Sequence, residues 1–267
     1  MRTIEFARWI GDHAPTVFVG ALLLLLLSVG AGWFAVHRYH VRPQQAQDTA
    51  AARPSIAVLV VGLATILLAA LLFATIPSWI GADGWVALAD VALTDAVGRS
   101  VSLPVLEIFA AVTVLANTPV LWTLAIAGAV VLLWRRDYIL TCIWIAAFAG
   151  NGILTRVLKS SYARARPPHE PELLTVDGFS FPSGHSSGAV VAYGMLAYAL
   201  IRATPVIWHL PIALIATAVT FSIACSRVFL RVHYASDAVA GLALGLAWLA
   251  ACIVAAEFSR RARERRN

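Results

Sequence analysis

Three short segments carry side chains whose types and spacing suit phosphoryl transfer. The first is Lys159-Ser-Ser-Tyr-Ala-Arg-Ala-Arg166-Pro167. Lys159 and Arg166, with Arg164 between them, can surround a phosphate. The arginine forks give paired hydrogen bonds and the lysine a point charge. The second is Phe181-Pro-Ser-Gly-His185, at the head of an apolar run. Ser183 suits a helix N-cap, Gly184 lets backbone approach a ligand closely, and the free N–H groups of a helix start favour an anion. The third runs from Ser226-Arg227 through Arg231 to His233-Tyr-Ala-Ser-Asp237. His233 and Asp237 are four residues apart, so on a helix they share a face. The carboxylate can hold one ring nitrogen as N–H and leave the other free as nucleophile or base.

Each segment alone has an ordinary explanation. Basic loops are often merely solvated, a histidine at a helix start is more often a structural hydrogen-bonder, and His–Asp pairs decorate helix surfaces. Together they make a phosphotransfer site that needs no metal. The cations and helix-start amides would stabilise the equatorial oxygens of a transferring phosphoryl group. His233 would attack phosphorus in line, oriented by Asp237. His185 would protonate the leaving oxygen and then activate water to release the phosphohistidine. His13, His37, His40, His169 and His209 have no comparable surroundings. No metal or other cofactor is expected, because Glu170, Glu172 and Asp177 share a loop but fit no ligand spacing.

The elements that must hold these segments are membrane helices. Of 267 residues, 60% are hydrophobic and only 13% charged, against about 45–50% and about 25% in soluble domains. That balance excludes a single water-soluble core, and it excludes disorder. The three cysteines, Cys142, Cys225 and Cys252, all lie in apolar runs and suit buried thiols rather than a disulfide framework. The net charge of +6 does not point to nucleic acid, since the arginines flank apolar segments. Apolar stretches long enough to cross a bilayer fall at roughly 16–36, 56–76, 119–134, 138–157, 187–203, 206–226 and 236–256. The run 103–117 before the third reads as an interfacial or partly inserted helix, with Pro119 in the first turn of the next.

Seven spans put Arg38, Arg42, Arg53, Arg135, Arg136, Arg202, Arg260, Arg261, Arg263, Arg265 and Arg266 on one side, which the positive-inside rule makes cytoplasmic. The opposite connector, 77–102, holds Asp83, Asp90 and Asp95 against Arg99 alone. The N-terminus is then outside and the C-terminus inside. Arg156, Lys159, Arg164, Arg166, Arg227 and Arg231 break the pattern by lying at the outer face. Charges at the edge of a membrane domain are costly unless paired or functional. An anionic ligand on that face is their simplest common cause.

In order and spacing, the three segments resemble the type 2 phosphatidic acid phosphatase family. Its signature is a Lys, six residues and Arg-Pro, then Pro-Ser-Gly-His, then Ser-Arg, five residues, His, three residues and Asp. Every fixed position is matched: Lys159, Arg166 and Pro167; Pro182 to His185; Ser226, Arg227, His233 and Asp237. The one lysine of the chain lands on the family's lysine. Arg231 and Phe229 depart from the family's frequent Gly and Tyr. The resemblance implies His233 as nucleophile, Asp237 as its orienting partner and His185 as acid/base. It implies Lys159, Arg166, Arg227, Ser183 and Gly184 as phosphate binders, with Arg164 added because relatives often carry an arginine there.

The expectation is an all-α, polytopic membrane protein. Residues 1–55 form an N-terminal transmembrane helix with a cytoplasmic connector, 56–256 a six-helix phosphatase core, and 257–267 a basic cytoplasmic tail. Its partners are the bilayer and a lipid substrate, not nucleic acid, and no oligomeric state is implied. The resemblance and the outer-face site together suggest hydrolysis of undecaprenyl diphosphate or a phospholipid phosphate in the bacterial inner membrane. Phosphoryl transfer to a second lipid is the alternative. A non-enzymatic transporter would instead place charges deep within several spans.

Overall fold

The computed structural model describes residues 2–40, 56–81, 84–168 and 176–264. Arg42, Arg53, Asp83, His169, Glu170, Glu172, Arg265 and Arg266 lie outside them. The described residues fold as helices joined by short links: α1 (Arg2–Asp12), α2 (Ala14–His40), α3 (Ile56–Trp79), α4 (Trp85–Ser100), α5 (Leu103–Val114), α6 (Thr118–Trp134), α7 (Tyr138–Tyr162), α8 (Gly184–Ala203), α9 (His209–Phe229) and α10 (Ala235–Glu264). A bilayer offers the backbone no hydrogen-bond partners, so apolar runs of this length close their bonds within the helix.

Among the described residues, seven stretches are long and apolar enough to cross a membrane: Ala14–Ala35, Leu59–Trp79, Leu103–Trp134, Tyr138–Tyr162, Gly184–Ala203, Val206–Phe229 and Ala235–Arg263. The protein is an all-helical, multi-pass membrane protein. The third stretch is two helices, because α5 ends before a break at 115–117 and α6 begins with Pro119 in its first turn. That break brings Asn117 beside the site. α10 runs on through the basic segment to Glu264, and Arg260 there reaches Asp137 of the α6–α7 link at 3.4 Å.

Helix α10 is the hub, packing against α3, α7, α8 and α9. Small residues let it approach α8 closely. A Cβ on Gly241 would fall 2.4 Å from the Ser183 carbonyl oxygen, so α10 lies directly against the start of α8. Farther along, Trp144 of α7 is buried among Leu132, Val191, Met195 and Cys252, with its indole N–H donating to the Ala125 carbonyl at 2.9 Å. At the other end, α1 packs along α4 and α5 along α9, where Phe109 stacks on Phe229 with ring centres 4.0 Å apart. The three segments read as chemical therefore meet at one end of the bundle. The α6–α7 link with Arg135 and Arg136 lies at the other.

Candidate active site

The link between α9 and α10 is built to hold His233. Arg227, in the last turn of α9, accepts at its carbonyl from the N–H groups of Val232 (3.2 Å) and His233 (3.1 Å). Asp237 sits in the first turn of α10, and its Oδ2 accepts from the Tyr234 N–H at 2.9 Å. The result is a buried pair with His233 Nδ1 at 3.6 Å from Asp237 Oδ2. That is ion-pair range and too long for a hydrogen bond. Ser180 fills the gap: its hydroxyl donates to Asp237 Oδ2 by a short contact and lies 3.4 Å from His233 Nδ1. Nδ1 thus faces the carboxylate, leaving Nε2 toward the cations. Burial pushes the His233 pKa down to about 4, with Arg227 and Arg166 pushing the same way and Asp237 opposing. That shift favours the neutral ring.

Arg164 faces the carboxylates and not the cations. Its guanidinium reaches Asp237 Oδ1 (2.6 Å), the Ser236 hydroxyl (2.8 Å) and Asp90 Oδ2 (3.0 Å), and lies 4.4 Å over the Tyr234 ring. Burial works against its charge, but Asp237 and Asp90 outweigh burial and hold its pKa above the usual value. The sequence expectation of a phosphate contact for Arg164 meets this geometry: its Nη1 bonds to α10 and its Nη2 to α4. Asp90 completes the cluster, accepting also from the Ser236 N–H at 3.1 Å and from the Ser236 hydroxyl.

Three cations do gather on the Nε2 side. Arg166 Nη1 lies 3.1 Å from His233 Nε2 and donates to the Val232 carbonyl at 2.7 Å. Its remaining nitrogens hold the carbonyls of Gly178 (2.9 Å) and Asp177 (3.1 Å). Burial lowers the Arg166 pKa, while Asp237 and Asp177 resist that shift. Lys159, in the last turn of α7, donates to the Phe179 carbonyl at 2.6 Å. The turn is closed by Ala163 at φ +45, whose N–H bonds back to the Lys159 carbonyl. Arg227 is 1% exposed and donates to the Thr113 hydroxyl at 2.7 Å, while its Nε has no hydrogen-bond partner among the described residues. An unpaired guanidinium N–H in a buried site is an open position for an anion.

The Phe181–His185 segment closes the pocket. The Ser183 N–H donates to the Asp237 carbonyl at 3.0 Å, tying this turn to α10. The Ser183 hydroxyl caps α8 by accepting from the Ser186 N–H at 3.4 Å. A Cβ at Gly184 would make only ordinary contacts, with Thr155 at 3.4 Å and Lys159 at 3.9 Å. Packing does not require that glycine. His185 Nε2 pairs with Asn117 Oδ1 at 3.0 Å, which fixes the ring against the α5–α6 break.

From His185, Gly184 and Lys159 a groove of about 810 Å³ runs down between α6, α7 and α8 past Leu121, Ala125, Phe148 and Val191. Among the described residues, no three His, Cys, Asp or Glu side chains group as metal ligands.

Arg231, the family departure, lies at φ +56, a left-handed conformation that glycine adopts without a Cβ clash. Its guanidinium lies against Gly98 of α4 and donates to the Pro168 carbonyl at 3.2 Å. Sequence reasoning missed Ser180, Asp90, Asn117 and Thr113 as neighbours of the site. Ser180 stands next to the Phe181–His185 segment and was within reach of a closer reading. The other three come from elements before α7 and have no local signal.

Residues 140–261 match the PAP2 superfamily. Phosphatidylglycerophosphatase B of Bacillus subtilis is 33% identical over 131 residues, 46% of this chain and 61% of that one. Decaprenylphosphoryl-5-phosphoribose phosphatase of Mycobacterium tuberculosis is 33% identical over 128 residues, covering 46% and 63%. Lipid A 1-phosphatase of Rhizobium johnstonii is 35% identical over 121 residues, covering 39% and 45%. The chain thus spans about three fifths of the first two relatives. The crystal structure of a transmembrane PAP2 type phosphatidylglycerolphosphate phosphatase from Bacillus subtilis superposes with a TM-score of 0.65 at 27% identity, covering 74% of this chain and 96% of that one. Helical architecture, matched segment and relatives agree in their likeness to the PAP2 superfamily.

Proposed function

We propose that this protein is an integral-membrane phosphatase that hydrolyses a lipid phosphate or diphosphate through a phosphohistidine on His233. One observation carries the reading: the Nε2 of buried His233 faces Arg166 at 3.1 Å, close to Arg227, while Lys159 and His185 stand at the head of a groove between membrane-spanning helices. A phosphoryl group held by Arg166, Lys159, Arg227 and the Ser183–Gly184 turn would displace the backbone carbonyls now bound to Lys159 and Arg166. The Nε2 lone pair attacks phosphorus as the P–O bond to the lipid breaks, and His185 delivers a proton to the leaving oxygen. Water then attacks phosphorus, His185 takes its proton, the P–N bond breaks and phosphate leaves. The cations stabilise charge on the equatorial oxygens in both steps. Asp237 holds the ring, and Arg164 and Ser180 hold Asp237.

The site end of the bundle is the one without the Arg135, Arg136, Arg202 and Arg260 cluster, which supports a site facing the exterior and a cytoplasmic C-terminus. The relatives are named for phosphatidylglycerophosphate, decaprenylphosphoryl-5-phosphoribose and the 1-phosphate of lipid A, so likeness alone does not choose a lipid. Undecaprenyl diphosphate and phospholipid phosphates both suit a headgroup site at the mouth of an apolar groove. The test is phosphate release by purified protein with chelator present, from undecaprenyl diphosphate, phosphatidic acid and phosphatidylglycerol phosphate. Chelator-insensitive release from at least one of them is expected. Folded protein that released phosphate from none would refute the reading.

A further inference from the structure

Asn117 stands at the N-cap of α6, where an asparagine side chain ordinarily accepts from a free N–H of the first turn. Here it makes no cap hydrogen bond. Its Oδ1 instead lies 3.0 Å from His185 Nε2, in the first turn of α8. An amide oxygen only accepts, so Nε2 carries the hydrogen and donates it. The backbone at this break is well held. The Asn117 N–H donates to the Val114 carbonyl, and the Asn117 carbonyl accepts from the Leu121 N–H, each at 3.0 Å. The Tyr193 hydroxyl of α8 donates to the Leu115 carbonyl at 2.9 Å, and Ala116 is buried in a cluster with Ala189 and Ile223. The break is thereby clamped to the helix that carries His185. The other ring nitrogen, His185 Nδ1, has no hydrogen-bond partner among the described residues and is not one of their sealed-off unpaired atoms. It is the open nitrogen of a ring that lines the groove beside Gly184 and Lys159.

We propose that Asn117 is a positioning residue that fixes the Nε2–H form of His185, so that Nδ1 is the atom that moves protons in the reaction. This rests on the phosphatase reading above and assigns its acid/base steps to one atom. With Nε2–H held by Asn117, the doubly protonated ring presents its second proton at Nδ1. As the P–O bond to the lipid breaks, that proton passes to the leaving oxygen and Nδ1 keeps the lone pair. As the P–N bond to His233 breaks, Nδ1 takes a proton from the attacking water, and the ring returns to its starting form. Nε2 keeps its proton and its bond to Asn117 through both steps. A neutral imidazole can carry its hydrogen on either nitrogen, and the bond made by one nitrogen sets the state of the other. Without the Oδ1 acceptor the ring is free to turn or to hold the opposite tautomer, which offers no base at Nδ1.

The test measures kcat and KM in detergent for phosphatidic acid, phosphatidylglycerol phosphate and para-nitrophenyl phosphate. The alkoxide that leaves either lipid needs a proton, and nitrophenolate does not. For a phosphoenzyme pathway, kcat/KM reports the steps up to P–O cleavage, while kcat also includes attack by water. Asn117→Ala should lower kcat/KM on the lipids that the wild type hydrolyses by about tenfold to a hundredfold, part of what general acid catalysis supplies. Asn117→Ser, a good N-cap but too short to reach His185, should do the same. On the aryl phosphate kcat/KM should fall by less than about threefold while kcat falls about tenfold, because only the water step there needs the base. Asn117→Asp keeps an acceptor toward Nε2 and should retain most of the lipid activity. Equal losses of kcat/KM on lipid and aryl substrates, no loss on the lipids, or an Asn117→Asp variant as impaired as Asn117→Ser would each overturn the assignment. The serine and aspartate variants, both suited to an N-cap, decide the matter even if the alanine variant fails to fold. Wild-type protein that released phosphate from none of the three substrates would strike the phosphatase reading itself, a result distinct from equal losses.

Discussion

Ser180 stands between His233 and Asp237, donating its hydroxyl to the carboxylate and lying 3.4 Å from the ring nitrogen that faces it. The histidine and carboxylate are therefore coupled through a third side chain as well as across 3.6 Å of space. Ser180 reaches this place because its own N–H donates to the Arg164 carbonyl at 2.8 Å, and Arg164 grips Asp237 from the other side. The two ends of the α7–α8 connector thus converge on one carboxylate.

Ser180→Ala removes a hydrogen bond to a charged acceptor, an interaction of about 1.5–3 kcal/mol. Asp237 keeps the Tyr234 N–H and Arg164, so the fold should survive. The expected outcome is a fall in kcat of about tenfold to a hundredfold with little change in KM, read from steady-state phosphate release. A variant with wild-type kcat would show that Ser180 only fills space.

Asp90 binds Arg164 and Ser236 but does not reach the histidine. Breaking a buried ion pair on one side strands the other charge, at a cost of about 3–5 kcal/mol. Arg164 still has Asp237 as a second carboxylate, so the loss should fall at the low end. Asp90→Ala is expected to lower both thermal stability and kcat, while Asp90→Asn, which keeps hydrogen-bonding capacity toward Ser236, should lose less of each. Identical behaviour of the two variants would argue against a positioning role.

The pH profile has a defined sign. His233 must be neutral to attack, and burial holds its pKa at about 4, below the usual histidine value. The kcat/KM of the free enzyme should therefore stay flat as pH falls through the ordinary histidine range and drop only near pH 4. Arg166 pushes the His233 pKa down and Asp237 pushes it up. Arg166→Gln should move the acid limb to higher pH, and Asp237→Asn should move it to lower pH while cutting the rate. Shifts in the same direction for both variants would contradict this electrostatic account.

Much of the bundle was legible because the bilayer demands long apolar runs, and such runs are visible without any knowledge of packing. The site was legible where the chain itself carries the order: Lys159 to Pro167, Pro182 to His185, and Ser226 to Asp237. Each is held by local bonds, such as the Arg227 carbonyl that sets His233. What stayed hidden depends on docking between distant elements. Asp90 and Arg164 are 74 residues apart, and nothing near Asp90 in sequence marks it as the partner of the loop after α7. The α1 helix also escaped notice, since it is too short and too polar to register as a span. It shows only as a partner of α4. Arg164 looked like an anion ligand because its type suits one, and only the placement of α4 turns it toward two carboxylates.

The central claim is a covalent bond between phosphorus and His233. It is tested most directly by incubating His185→Ala protein with a radiolabelled aryl phosphate, whose leaving group needs no proton, and mapping the label after rapid quench. Without its acid/base the variant should form the phosphoenzyme and hydrolyse it slowly. The account predicts acid-labile, base-stable label on the peptide containing His233, and none in the His185→Ala, His233→Ala double variant. Phosphate release with no label on His233, or label that persists in the double variant, would contradict it.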